Sequence, residues 1–468
     1  MKPLPAPKTN KLGSHSLHLF AIKFFATVAT FLVVYYYSHH LPEKSYGSYQ
    51  QVWTQLAFFN AFAGLGIASL VFTYTPGQLA SIIRSLHLKT YAGMSIMVIV
   101  CATIFAALQS ATVNSLLIFS LFFIVYVLCY LFETTLTALQ QFKWLPWISL
   151  SYSIVFCWLH YRSLQHGYDM HQLFIMLLGL LLLRFAAYII IFYVFFKRDL
   201  PEDDRLDAKT VRSLWKHLYF FEASQVLMVY LDKFILSNLL SSSQFALYFN
   251  ATLSIPFLSL IFGAISNAGL MQLSKEKQIS KQVVILHQMG KLLATIAFGC
   301  FFFFVVFNRE VFIVVFSAKY LAATSIFICT LLALPARAYN FTALLQIHGK
   351  GSTINKGVLI DAIVAIVFFI PLYFLLGLKG VALAFVLGTY VQAAYYLVQA
   401  AKLVDRPLLQ LIPLQNWLLK FLLFGGFMLM LHTFLHHFFD EKVTLLAGCL
   451  TTGCLGIFIL WREGKQAV

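Results

Sequence analysis

About fourteen apolar stretches, each near twenty residues long, occupy almost the whole chain from Phe20 to Trp461, and positive charge collects between alternate pairs of them. A helix crosses a hydrocarbon core of ~30 Å in roughly 20 residues. The stretches fall at about 18–38, 48–72, 92–109, 115–137, 147–160, 172–196, 217–240, 246–270, 290–307, 324–347, 357–376, 381–401, 416–436 and 443–461. The fifth is the shortest, because His160, Tyr161, Arg162 and His166 close it early. With 60% hydrophobic residues, a mean hydropathy of +0.82 and 11% charged residues, the 468-residue chain has too little polar surface to cover a soluble body. The predicted fold class is all-α, a polytopic helical bundle in a membrane.

Orientation follows from the basic residues. With the N-terminus inside, inner segments carry about 22 Lys and Arg, including Lys2, Lys8, Lys11, Arg84, Lys89, Lys143, Lys197, Arg198, Arg205, Lys209, Arg212, Lys216, Lys275, Lys277 and Lys281. The outer segments carry about six: Lys44, Arg162, Arg309, Lys319, Lys379 and Lys442. Fourteen spans with both termini cytoplasmic is the expected topology. The formal net charge of +16 is then topological, and its scatter over short segments speaks against a nucleic-acid partner. The polar first stretch of about 17 residues leads into the first span without a small-residue cleavage pattern, as a retained anchor would. Cys101, Cys129, Cys157, Cys300, Cys329, Cys449 and Cys454 all lie in apolar stretches without metal-like spacing and read as small core residues.

The longest polar interruption, Lys197 to His217, divides six spans from eight. The expected organisation is an N-terminal lobe over 1–200, a cytoplasmic linker over 201–216, a C-terminal lobe over 217–403 and two appended spans with a tail over 404–468. Leu206, Val211, Leu214 and Trp215 among Lys209, Arg212 and Lys216 suit either a short helix on the inner membrane surface or a solvated linker. An offset of 199 residues lays Leu41 on Leu240, Tyr46 on Phe245, Gly47 on Ala246, Tyr49 on Tyr248 and Gly64 on Gly263. Recurrence after the first span of each half is what duplication about an axis normal to the membrane predicts. The expectation is two pseudo-symmetric six-helix lobes facing each other across a central cavity, two helices being added at the C-terminus. Pro256, Pro335 and Pro371 lie in or near spans as kink points or static packing.

Function is sought in charge that a membrane tolerates poorly. Arg184 and Arg337 lie half-way along the sixth and tenth stretches, Arg337 beside Pro335 and Asn340. Arginine at the bilayer centre costs at least roughly 2.5–3.5 kcal/mol on insertion scales, so each should face a cavity, an acid or both. Lys23, Thr27 and Thr30 form one polar stripe on the first span, as a cavity-lining helix would. Similar stripes are Glu133, Thr137 and Gln140 on the fourth span, and Glu222, Gln225 and Asp232, followed by Lys233, on the seventh. Cations so placed suit a phosphate-bearing ligand, since guanidinium forks match phosphate oxygens and ammonium supplies a compact charge. The candidate ligand contacts are Lys23, Arg184, Arg337 and Asn340. Glu133, Glu222, Asp232 and Lys233, with Asp361, serve as ion-pair partners or hold a coupling proton or sodium ion.

Enzymatic signatures are absent. Gly349, Lys350, Gly351, Ser352 and Thr353 lack the first glycine of a phosphate loop, and no GxSxG or HExxH occurs. His39, His40, His436 and His437 stand at outer span ends without acid or cysteine partners at metal-site spacing. No metal, organic cofactor or enzymatic activity is expected, so transport would draw on a gradient or on the substrate's own concentration difference.

Leu41, Pro42, Glu43, Tyr46, Gly47 and Tyr49 resemble the L-x-P-E-x-Y-G-x-Y outer turn of the polysaccharide-repeat-unit flippases, in the multidrug/oligosaccharidyl-lipid/polysaccharide exporter superfamily. Asp232 and Lys233 before Ile235 and Leu236, Phe245 to Tyr248, Ser317, Lys319, Tyr320 and Ala322, and Gly380, Val381, Ala382 and Ala384 extend the resemblance in order along the chain. It implies a V-shaped two-lobe fold, a monomer that moves an undecaprenyl-diphosphate-linked oligosaccharide such as an O-antigen unit from the inner to the outer leaflet of a bacterial cytoplasmic (inner) membrane by alternating access, with polysaccharide-assembly enzymes as further partners. It does not assign the cavity residues, which rest on burial cost. The rival readings are a cation-coupled multidrug extruder of the same superfamily and a membrane polysaccharide polymerase or transferase.

Overall fold

The computed structural model describes residues 10–71, 76–85, 88–109, 112–139, 141, 144–196, 208–253, 255, 258–274 and 276–465. Among them there is no strand; the fold is all-α. Gln140, Pro256 and most of the 197–207 interruption, all singled out in the sequence, lie outside the described residues, and the side chains of Arg84 and Gln225 do too. The chain divides into two compact units, Met1–Phe245 and Ala246–Val468.

The first unit holds α1 (Asn10–His40), α2 (Glu43–Ala63), α3 (Ile67–Val71), α4 (Pro76–Ser85), α5 (Leu88–Gln109), α6 (Val113–Ala138), α7 (Leu145–His166), α8 (Met170–Phe196), α9 (Ala208–Leu239) and the start of α10 (Ser242–Thr252). Neighbour follows neighbour round a ring of α1, α2, α5, α6, α8 and α7. Trp53 of α2 holds its centre, its ring 6.0–6.2 Å from Phe122, Phe156 and Phe174. Such aromatic edges add to the packing that must drive association where hydrocarbon surrounds the helices.

The second unit holds α11 (Leu258–Leu273), α12 (Ile279–Val306), α13 (Asn308–Val311), a π turn over Phe312–Phe316, a 3-10 segment over Ala318–Ala323, α14 (Thr324–Leu331), a 3-10 turn over Pro335–Ala338, α15 (Ala343–Ile347), α16 (Gly351–Leu376), α17 (Leu378–Val404), α18 (Leu414–Phe438) and α19 (Glu441–Lys465). Here α12 is the post against which α11, α14, α18, α19 and the Pro335–Ala338 turn pack, while α16 and α17 form a close hairpin.

The described residues of the apolar stretches are mostly helical, and among the described residues nine helices are long and apolar enough to cross a membrane. The chain is a multi-pass membrane protein. Three stretches are interrupted. The second breaks at Gly64–Gly66, where Leu65 and Gly66 take φ of 57° and 63° and an added Cβ on Gly66 would come within 2.5 Å of the Tyr219 backbone. The eighth breaks between α10 and α11. The tenth falls into α14, the Pro335–Ala338 turn and α15, since Pro335 can give no amide to the helix ladder.

The fifth stretch is longer than expected. His160 is buried with Nδ1 2.7 Å from the Phe156 carbonyl and Nε2 2.9 Å from the Tyr49 hydroxyl, so α7 continues to Gly167, whose φ of 63° ends it. The expected surface helix before the seventh stretch is instead the first turns of α9, which runs unbroken from Ala208.

The 199-residue repeat is visible in the backbone. α1 ends at His40 and α9 at Leu239; α2 starts at Glu43 and α10 at Ser242. Tyr46, Phe245, Ala246, Tyr49 and Tyr248 are all buried. Gly64 and Gly263 do not correspond, because the first caps α2 and the second lies inside α11.

Candidate functional site

In the first unit, α6 and α8 bring Glu133 and Arg184 together although 51 positions separate them. The guanidinium donates from Nη2 to Glu133 Oε2 and from Nε to the Tyr188 hydroxyl at 2.9 Å, and Tyr188 donates to the same carboxylate oxygen at 2.5 Å. Its central carbon sits 4.3 Å from the centre of the Tyr152 ring on α7. The side chains of Arg184 and Glu133 are 14% and 27% exposed. Arg184 is thus an ion-paired arginine that also borders open space. It lines a cavity of about 770 Å³ between α7 and α8.

The other candidates differ in their surroundings. Lys23, Thr27 and Thr30 lie on one exposed face of α1, with both threonine hydroxyls turned back to carbonyls four residues earlier, at 2.8 and 3.0 Å. The Lys23 ammonium has no hydrogen-bond or ion-pair partner among the described residues. On α9, Asp232 is buried and Lys233 Nζ reaches its carboxylate at 3.4 Å and the Val229 carbonyl at 3.2 Å. Glu222 lies within hydrogen-bonding reach of Tyr130 on α6.

In the second unit, Arg337 occupies the Pro335–Ala338 turn inside the broken tenth stretch. Its guanidinium is exposed and, among the described residues, has no hydrogen bond or ion pair. Asn340 Oδ1 is taken by the amide and hydroxyl of Thr342 at 3.2 and 2.9 Å, which fixes the chain as it leaves the turn. A non-helical turn at membrane depth is tolerated where it lines a cavity or is buried in protein. Asp361 on α16 has its Oδ1 shut from solvent without a partner among the described residues, and Gly388 of α17 leaves it room.

Two buried ionic ties escaped the sequence reading. Lys420 donates to Glu463 at 2.8 Å and to the Lys291 carbonyl at 2.5 Å, joining α18, α19 and α12. His432 on α18 meets Glu310 of α13 at 2.9 Å, and Glu310 is 1% exposed. Lys420 and Glu463 stand near span ends, where charge reads as interfacial. Among the described residues no group of His, Cys, Asp and Glu is placed to hold a metal ion.

No family model matches the chain, and no curated protein matches it by sequence. Solved structures do match in shape. One titled lipid II flippase MurJ, in an inward closed conformation, aligns over 96% of this chain and 98% of its own with a TM-score of 0.67 at 14% identity. An outward-facing multidrug resistance MATE family transporter of the MOP superfamily aligns over 83% and 94% with 0.57 at 14% identity. An inward-facing one aligns over 81% and 94% with 0.58 at 15% identity. At these identities the likeness establishes the fold.

Proposed function

We propose that this chain is a flippase that moves an undecaprenyl-diphosphate-linked oligosaccharide, a polysaccharide repeat unit, from the inner to the outer leaflet of a bacterial cytoplasmic membrane by alternating access, without covalent chemistry. The observation that carries the reading is Arg337: a guanidinium exposed at a helix break, with no counter-charge among the described residues to balance it. A cation held so in a membrane protein calls for an anion from outside the chain. Lys23 is a second such cation, and a diphosphate would satisfy both kinds of donor. Arg184 and Asn340 complete the proposed contact set, while Glu133, Glu222 and the Asp232–Lys233 pair supply counter-charge and candidate coupling positions. Likeness over 96% of the chain to a structure titled as a lipid flippase is consistent with this reading.

The test is complementation of a strain lacking its repeat-unit flippase. Arg337→Ala and Lys23→Ala should each reduce surface polysaccharide at least tenfold with unchanged protein level; full polysaccharide with both substitutions combined would remove these residues from the proposal. A second reading, a cation-coupled drug extruder, draws on the partnerless Asp361 oxygen and the MATE-like fold. Drug resistance that depends on Asp361 but not on Arg337 would select it.

A further inference from the structure

The cavity between α7 and α8 has two unlike ends. Trp144 and Trp147 stand at one, more than half exposed, near the start of α7 and the end of α8. Tryptophan is the side chain that settles at a membrane interface. From there Ile190, Ile191, Leu183 and Val155 line an aliphatic wall that runs to Leu180 and Arg184. Leu180 to Val194 along α8 spans about 21 Å, and Arg184 lies at the middle of the 27-residue helix. The cavity is therefore a slot about one leaflet deep, opening beside a greasy wall and reaching a guanidinium. Arg184 gives one N–H from Nε to Tyr188 and one from Nη2 to Glu133, and the Tyr152 hydroxyl lies within its hydrogen-bonding reach, so its five N–H groups are not all spent on these contacts.

We infer that this slot binds a single-chain phospholipid-like molecule, a polyprenyl diphosphate, with its phosphate on the remaining Arg184 N–H groups and the near part of its chain against the α7 and α8 wall. An ordinary phospholipid keeps its phosphate in the headgroup layer, about 15 Å from the bilayer middle. Only a lipid whose phosphate is being carried to mid-depth can satisfy the aliphatic wall and the arginine together. Glu133 already neutralises Arg184, so the attraction comes from directed N–H groups and is of short range. The inference rests on the flippase reading and deepens it, naming a lateral place where the substrate leaves the lipid phase.

The test uses the full chain in nanodiscs with a photo-crosslinker at Leu183 and three probes: undecaprenyl diphosphate, undecaprenol and phosphatidylglycerol. Crosslinking to undecaprenyl diphosphate should exceed that to undecaprenol or phosphatidylglycerol at least tenfold. Arg184→Gln should abolish that preference, and Glu133→Gln should raise it several-fold by releasing the guanidinium. Ala187→Trp, which fills the slot while keeping the Arg184, Glu133 and Tyr188 side chains, covers the case in which Arg184→Gln does not fold; it should block the crosslink. Equal crosslinking of the three probes, or an unchanged crosslink with Ala187→Trp, overturns the slot. Undiminished surface polysaccharide with Ala187→Trp would also remove the slot from the route and leave the Arg337 reading standing, whereas loss of complementation-competent Arg337 dependence would fail the function and not the slot's lipid preference.

Discussion

At the scale of the residue, the intramembrane charges sort by whether protein answers them. Arg184, Asp232, Lys420 and Glu310 have protein partners; Lys23 and Arg337 have none among the described residues. Removing one member of an enclosed pair strands the other, at about 3–5 kcal/mol. Lys420→Ala should therefore lower thermal stability markedly in a detergent melt, and Lys420→Ala with Glu463→Gln should recover part of it. Arg337→Ala should melt with the parent while losing complementation. The sequence made Arg184 and Arg337 conspicuous because hydropathy marks a charge among leucines. It could not say that one meets Glu133 51 positions away and the other has no ion-pair partner among the described residues, because pairing is a property of helix neighbours and rotation.

Single elements show where a membrane helix departs from a hydropathy run. Hydropathy counts side chains and is blind to the backbone, so the apolar stretches were legible while the break at Gly64–Gly66 was not, and Pro335 marked a kink point without showing that the helix stops there. Close helix contact follows the same logic. A Cβ on Gly47 of α2 would lie 1.7 Å from the Ser242 carbonyl oxygen, where α10 begins, and a Cβ on Gly380 of α17 would lie 1.8 Å from the Leu372 oxygen in α16. Polar contacts flank the first approach: Ser242 donates to Gln51 at 3.0 Å, and Gln51 to the Ser237 carbonyl at 3.0 Å. Gly47→Val should force these segments apart and reduce folded yield in size-exclusion profiles, whereas Ser48→Ala, which loses one 3.1 Å contact to the Ser242 hydroxyl, should leave yield nearly unchanged.

For the whole molecule, the expected fourteen spans would return the chain to its starting side. Alkaline phosphatase fused after Asp440 should be active in cells, and the same reporter after Gly349 should be silent. The reverse pattern, or activity at both, would undo the assignment of basic segments to the cytoplasm.

The hairpin partner α16 and the last helix α19 each have only 11% of their most apolar window buried within the protein. Most of their surface is therefore solvated by acyl chains, and α16, with 26 residues, is about 39 Å long against a ~30 Å core. These two helices should feel the thickness of the host bilayer before any other part of the chain. Reconstitution in short-chain lipid should tilt or loosen them first, so the choice of lipid becomes an experimental variable as consequential as any substitution.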